Sequence, residues 1–271
     1  MISINSRKIK IYTLISIIAS LVLATVRTVI LTKIVEPDTG LYLIGSEWGT
    51  VFDWGMVILL AAAVLLGRYL LKGVESPKEL KSDSTVTVFG SALCALMFFS
   101  VFVYGMYLKL FTDNTIGILF LLQIVLCIPA GFNHLMICAN ERREKSTAQA
   151  LLAMSVPVMF ALRVIDVFMA TDTQINTSQR SFELLMLCAA MVFYLYESAF
   201  LVNKDNDDKD NHIFVNYYVA ALSTVVLTFV TVIPYLLVSV FWVFKTDFVI
   251  MNVLECCVMF YAASRLAAVH R

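Results

Sequence analysis

Long apolar runs separated by short polar breaks dominate the chain. A bilayer-spanning helix needs about 20 mostly apolar residues. Eight segments meet that length: 11–34, 50–72, 85–111, 114–139, 147–170, 181–203, 212–243 and 247–269. The pattern therefore predicts an all-α, polytopic integral membrane protein with eight transmembrane helices. The seventh run is long and contains Pro234, so a kink or an extension beyond the bilayer is expected there. The first run follows Arg7, Lys8 and Lys10 and has no small-x-small site after it. It is longer than a signal-peptide core of about 7–15 residues and reads as a retained span.

The basic residues orient these spans. With the N-terminus inside, fourteen of the twenty Lys and Arg fall on the inner side. Arg68, the 142–143 pair, Lys145, Lys204 and Arg265 are among them. Lys33, Lys109, Arg180 and Lys245 fall outside, and Arg27 and Arg163 are embedded. This bias favours an even number of spans, with both termini cytoplasmic. Trp48, Trp54 and Trp242 all fall at the expected outer interface, where indole rings prefer to sit.

No connection is long enough to fold separately. The longest outer one, 36–49, contains Pro37-Asp38-Thr39-Gly40 and reads as a turn. The inner loop 204–211 slightly resembles a calcium loop, but Lys209 takes a ligand position and the glycine is missing. A solvated linker is the plainer reading. The 141–145 stretch reads as an inside anchor.

Composition agrees with the pattern: 60% of residues are hydrophobic and 15% charged, against about 25% charged in soluble domains. The formal net charge is zero, so nucleic-acid binding has no electrostatic support. The six cysteines all lie in apolar runs without metal-ligand spacing. They read as free, buried thiols. No metal or other cofactor is expected, and the expected surroundings are the lipid bilayer.

Two halves share a faint pattern. Arg27 aligns with Arg163, Phe52-Asp53 with Phe182-Glu183, and Thr112-Asp113 with Thr246-Asp247, at nearly constant offset. The expected division is 1–145 and 146–271, four helices each, related as parallel repeats by an axis along the membrane normal.

Arginine in the first span, Glu36-Pro37-Asp38-Thr39-Gly40-Leu41-Tyr42, and Phe193-Tyr194-Leu195-Tyr196-Glu197-Ser198-Ala199-Phe200 together resemble a set of uncharacterised multi-pass membrane proteins from Gram-positive gut bacteria. In those the first motif commonly reads Asp-Pro-Glu-Thr-Gly-Phe. The resemblance implies a bacterial plasma membrane and no particular activity.

The candidate chemistry lies in ionisable groups inside the spans, each costing about 2.5–3.5 kcal/mol on insertion scales. Arg27, Asp53, Arg163, Asp166, Glu183 and Glu255 come from five helices and are expected in one outer layer. Lipid cannot host them, so they are expected to face one another or a water-filled cavity open to the outside. Arg163 and Asp166 stand three apart and can pair on one helix face. Arg27 needs a partner from elsewhere, and Asp53 is the first choice. Two cations against four carboxylates leave an excess of negative charge, so either some carboxylates hold protons or a cation completes the site. Glu255, the deepest, is the leading candidate for that group.

The plainer readings are an interhelical structural network, or separately hydrated charges. On the inner side Glu197 reads as hydrated and His134 as a hydrogen-bonded core residue. Ser91 lies near His134 in depth but forms no recognisable nucleophile motif. Neither a zinc His-Glu-x-x-His nor a nucleophile elbow is present, so an enzyme is not the expected class. The leading functional expectation is a transporter of a cation, proton or small polar ligand. The second is a non-transporting sensor, assembly factor or subunit bound to a membrane-protein partner.

Overall fold

The computed structural model describes residues 2–35, 43, 47–71, 84–111, 117–139, 147–169, 178–202, 211–242 and 249–269. The turn expected in 36–49, the linker 204–211, the 141–145 anchor and the Thr112-Asp113 and Thr246-Asp247 matches lie largely or wholly outside these described residues. Among the described residues the chain forms eight α-helices: α1 (Ile2–Lys33), α2 (Trp48–Leu71), α3 (Thr85–Phe111), α4 (Ile118–Cys138), α5 (Thr147–Met169), α6 (Ser178–Val202), α7 (Asn211–Trp242) and α8 (Val249–Val269). All eight are long and apolar enough to cross a membrane. The protein is an all-α, multi-pass membrane protein. Helices are the natural outcome, because a spanning segment must satisfy its backbone internally.

Helix α7 remains helical through Pro234. A kink there is not needed to end or divide the span. Proline also lies within α4 and α5, at Pro129 and Pro157. Helix α1 begins about nine residues before the apolar run does, carrying its basic start into the helix.

Helices α3 to α8 form a closed ring. Each packs on the next in chain order, and α8 closes against α3. Helix α1 lies outside the ring against α7, and α2 packs on α1 and α7. Consequently α7 touches α1, α2, α6 and α8, and it is the span most buried inside the protein. The peripheral α2 buries only Gly49, Met56, Gly67 and Leu71. Trp48 and Trp54 stand exposed on it, as residues facing lipid or its interface would.

Small residues permit the close approach of α3 to its neighbours, as is common where apolar burial gives helices no preference for each other over lipid. A Cβ built on Gly105 would sit 2.3 Å from Ile124 Cδ1, and one on Gly131 would sit 2.8 Å from Phe99 Cζ. A Cβ on Gly90 would meet the α8 backbone at Tyr261 Cα, 3.3 Å away. Ile124 is fully buried and has little room to yield. Gly105→Ala is therefore expected to destabilise the protein by about 1–3 kcal/mol, whereas Gly55→Ala, where nothing lies within 4 Å, should be neutral or slightly favourable. Thermal midpoints of the two variants in detergent check this; equal midpoints would show that α3 and α4 separate freely.

Candidate functional site

The six ionisable residues expected in one layer occupy two clusters, back to back on the first turns of α6. In the first, Arg27 Nη1 on α1 lies 3.4 Å from Asp53 Oδ1 on α2. The Arg27 side chain is 1% exposed and Asp53 23%. Two rings flank the guanidinium, Phe52 at 5.5 Å and Phe182 at 5.7 Å from centroid to Cζ. An arginine so desolvated gains from aromatic faces as well as from its carboxylate. Phe52 and Phe182 also pack with Met56 and Val230 in a small apolar cluster.

The second cluster joins α4, α5, α6 and α8. Arg163 Nη2 lies 3.4 Å from Glu183 Oε1, and Arg163 Nη1 lies 3.8 Å from Asp166 Oδ2 on its own helix. Gln123 on α4 donates from Nε2 to Asp166 Oδ2 at 3.0 Å. Glu255 on α8 is close enough to Glu183 and Arg163 to interact electrostatically with both. It is 2% exposed, and among the described residues neither of its carboxyl oxygens has a hydrogen-bond partner.

Sequence reasoning missed three members of this layer. Gln123 was legible only as a lone amide in an apolar run. Tyr235 of α7 interacts electrostatically with Glu183. Arg180, placed on the outer side by the basic-residue pattern, is buried. Its Nη2 donates to the Val167 carbonyl and, at 3.0 Å, to the Phe168 carbonyl. These are among the orphan acceptors at the end of α5, where a cation also meets the negative end of the helix dipole. Arg180 alters the charge balance. The layer holds Arg27, Arg163 and Arg180 against Asp53, Asp166, Glu183 and Glu255. A neutral Glu255 balances it.

A second buried polar group lies toward the end of the bundle where α1 begins, here called the near face. Glu197 of α6 does not sit in water: it is 3% exposed, and Arg265 of α8, counted among the inner basic residues, is 4% exposed. Arg265 Nε donates to Glu197 Oε1 at 2.8 Å and to the Tyr261 hydroxyl at 2.9 Å. Tyr261 in turn donates to Glu197 Oε1 at 2.7 Å. The three groups form a closed triangle between α6 and α8.

Beside it, Ser91 Oγ of α3 lies 3.0 Å from His134 Nδ1 of α4 and donates to the His134 carbonyl, also at 3.0 Å. The Tyr194 hydroxyl lies 3.1 Å from His134 Nε2. The ring stacks on Phe98 and meets Tyr261 edge-on, 4.8 Å between centroids. Ser91 and His134 thus pair more closely than their sequence positions suggested. Ser91 Oγ is equally near the His134 carbonyl and Nδ1, and both ring nitrogens are engaged. This arrangement ties α3, α4 and α6 together.

Among the described residues, no group of three or more His, Cys, Asp or Glu side chains is placed to hold a metal ion. All six cysteines are free. No family model, curated protein or solved structure matches the chain.

Proposed function

We propose that the protein carries protons or a small cation across a bacterial plasma membrane, and that Glu255 is the group that binds and releases the cargo. One observation carries this reading: a carboxyl group buried in a membrane-spanning helix, within electrostatic reach of Arg163 and Glu183, with no hydrogen bond to either oxygen among the described residues. An ionised carboxylate there is costly. It becomes affordable when a proton or cation occupies it, and carriers use such intramembrane acids for that purpose. The surrounding Arg163, Asp166 and Glu183 hold each other and set the local charge.

The same reading places the near face in the cytoplasm, following the Lys and Arg bias. It also retains the division into halves 1–145 and 146–271. The repeated arginine-to-acid pair supports a duplication: Arg27 with Asp53 between α1 and α2, and Arg163 with Glu183 between α5 and α6, both at 3.4 Å. Helix packing has diverged between the halves, since α5 and α6 belong to the ring while α1 and α2 lie outside it.

Flux into reconstituted proteoliposomes tests the proposal. Wild-type protein should move protons or a monovalent cation down an imposed gradient, and Glu255→Gln should reduce that movement to the level of empty vesicles. Wild-type vesicles no leakier than empty ones, over protons and a cation panel, would reject the carrier. Recovery of an intact membrane complex through α2 would then favour a non-transporting subunit.

A further inference from the structure

Helix α7 connects the two buried polar groups along one face. Tyr217, Ala221, Thr224, Thr228, Thr231 and Tyr235 recur at alternating steps of four and three residues, the spacing of a single helical stripe. The three threonines are buried. Each donates its hydroxyl proton to the carbonyl one turn earlier, at 2.8 Å for Thr224 and 2.7 Å for Thr228 and Thr231. Their oxygen lone pairs are left as acceptors. Ala221 places no bulk between Thr224 and Tyr217.

The ends of this stripe are fixed by contacts. Tyr217 interacts electrostatically with Glu197 and Arg265, and its ring lies 5.4 Å from that of Phe193 on α6. Helices α6 and α7 run antiparallel, so ten residues back from Phe193 brings Glu183 level with Leu227 and Thr228. The Phe182–Val230 packing gives the same register. On α8, Tyr261 lies against Phe193, 6.2 Å between ring centroids, so six residues back Glu255 is level with Leu187 of α6 and with Ser223 and Thr224 of α7. The Thr224–Tyr217 part of the stripe therefore runs from the depth of Glu255 to the Glu197–Arg265–Tyr261 triangle.

We propose that the Thr224–Tyr217 face of α7 is the near-side proton path, and that the Glu197–Arg265–Tyr261 triangle is its closed end. This rests on the carrier reading above and identifies its cargo as the proton. The proton leaves the Glu255 carboxyl, passes along the hydroxyls and the water they hold, and binds the Glu197 carboxylate. Neutral Glu197 loosens its hold on Arg265 and gives the proton to the near face, which restores the ion pair. Glu255, left as a carboxylate opposite Arg163, takes its next proton from the far side.

The groups around each acid fit these roles. Glu197 is faced by Arg265 and Tyr261 from α8, Tyr217 from α7, Cys94 from α3 and Tyr194 from its own helix. Glu255 is faced by Arg163 from α5 and Glu183 from α6, with Cys256 beside it. Each acid has one nearby arginine that stabilises its ionised form, and proton transfer between them conserves the total charge.

The experiment uses full-length protein in vesicles with a trapped pH dye and a clamped potential. It compares wild type, Thr224→Val, Glu197→Gln and Glu255→Gln. Infrared difference spectra monitor the carboxylic-acid carbonyl band that Glu255→Gln removes. Loss of a positioned transfer group should slow proton flux by about a hundredfold in Thr224→Val and Glu197→Gln while that band remains. Valine matches threonine in shape, so Thr224→Val keeps the test decisive even if Glu197→Gln folds poorly. Wild-type flux in Thr224→Val and Glu197→Gln, with none in Glu255→Gln, would overturn the path and leave the carrier reading standing. Movement of a metal cation without protons would do the same. No flux of any kind in wild type would remove both.

Discussion

Arg265→Leu is expected to destabilise the protein by about 3–5 kcal/mol. The substitution removes two of the three hydrogen bonds in the near-face triangle, those from Nε to Glu197 at 2.8 Å and to Tyr261 at 2.9 Å. Glu197 is left as a buried acid with the Tyr261 hydroxyl as its remaining donor in the triangle. Its side chain is 4% exposed, so water cannot take over from the guanidinium. The main cost is the stranded carboxylate, not the lost attraction. Replacing both members by apolar side chains should therefore be much milder, because a buried ion pair often does little better than well-packed hydrophobes. The double variant Arg265→Leu with Glu197→Leu is expected to regain most of the lost stability. Unfolding in detergent, followed by helix content, measures both. A double variant as unstable as the single one would show that Arg265 acts through packing.

Glu255→Met should have the opposite sign, raising stability by about 1–3 kcal/mol, the usual cost of a buried polar group left without partners. Methionine is close to glutamate in length and adapts to irregular gaps, so little overpacking is expected. The gain should accompany complete loss of proton flux. Such a pairing of greater stability with lost activity is the expected behaviour of a residue retained for function. If Glu255→Met is as damaging as Arg265→Leu, Glu255 has a structural partner and the proposed cargo site fails. The two buried acids thus separate by sign: Glu197 is held by an arginine and a tyrosine, whereas among the described residues Glu255 has neither a hydrogen bond nor a close ion pair.

Much of the far-face layer could be read from particular residues. Arg163 and Asp166 are three apart on one helix, so their pairing is a local matter. Asp53 as the partner of Arg27 followed from their common depth. Glu183 stands out as an acid near the start of an apolar run. Arg180 lies one residue before the expected span at 181, so the sequence did not mark it as part of the buried layer. Whether a terminal arginine points to water or back onto α5 depends on how α5 and α6 meet. The burial of Arg265 was hidden for a related reason. It stands near the end of the last span among the inner basic residues, but α3 and α7 pack on either side of α8, and Glu197 of α6 meets it inside the ring.

What the chain determines by itself is the set of elements. An apolar run of about 20 residues in lipid has no way to satisfy its backbone except as a helix, so eight spans follow from eight runs. The cost of embedding charge likewise marks Arg27, Arg163 and Glu255 as residues needing an explanation. Only the tertiary structure decides which helices become neighbours. Lipid and protein are equally apolar, so hydrophobicity does not choose partners; close fit at small residues such as Gly105 and buried polar pairing do. The ring of α3 to α8, the placing of α1 and α2 outside it, and the meeting of Glu197 with Arg265 across 68 residues of sequence all arise at that level.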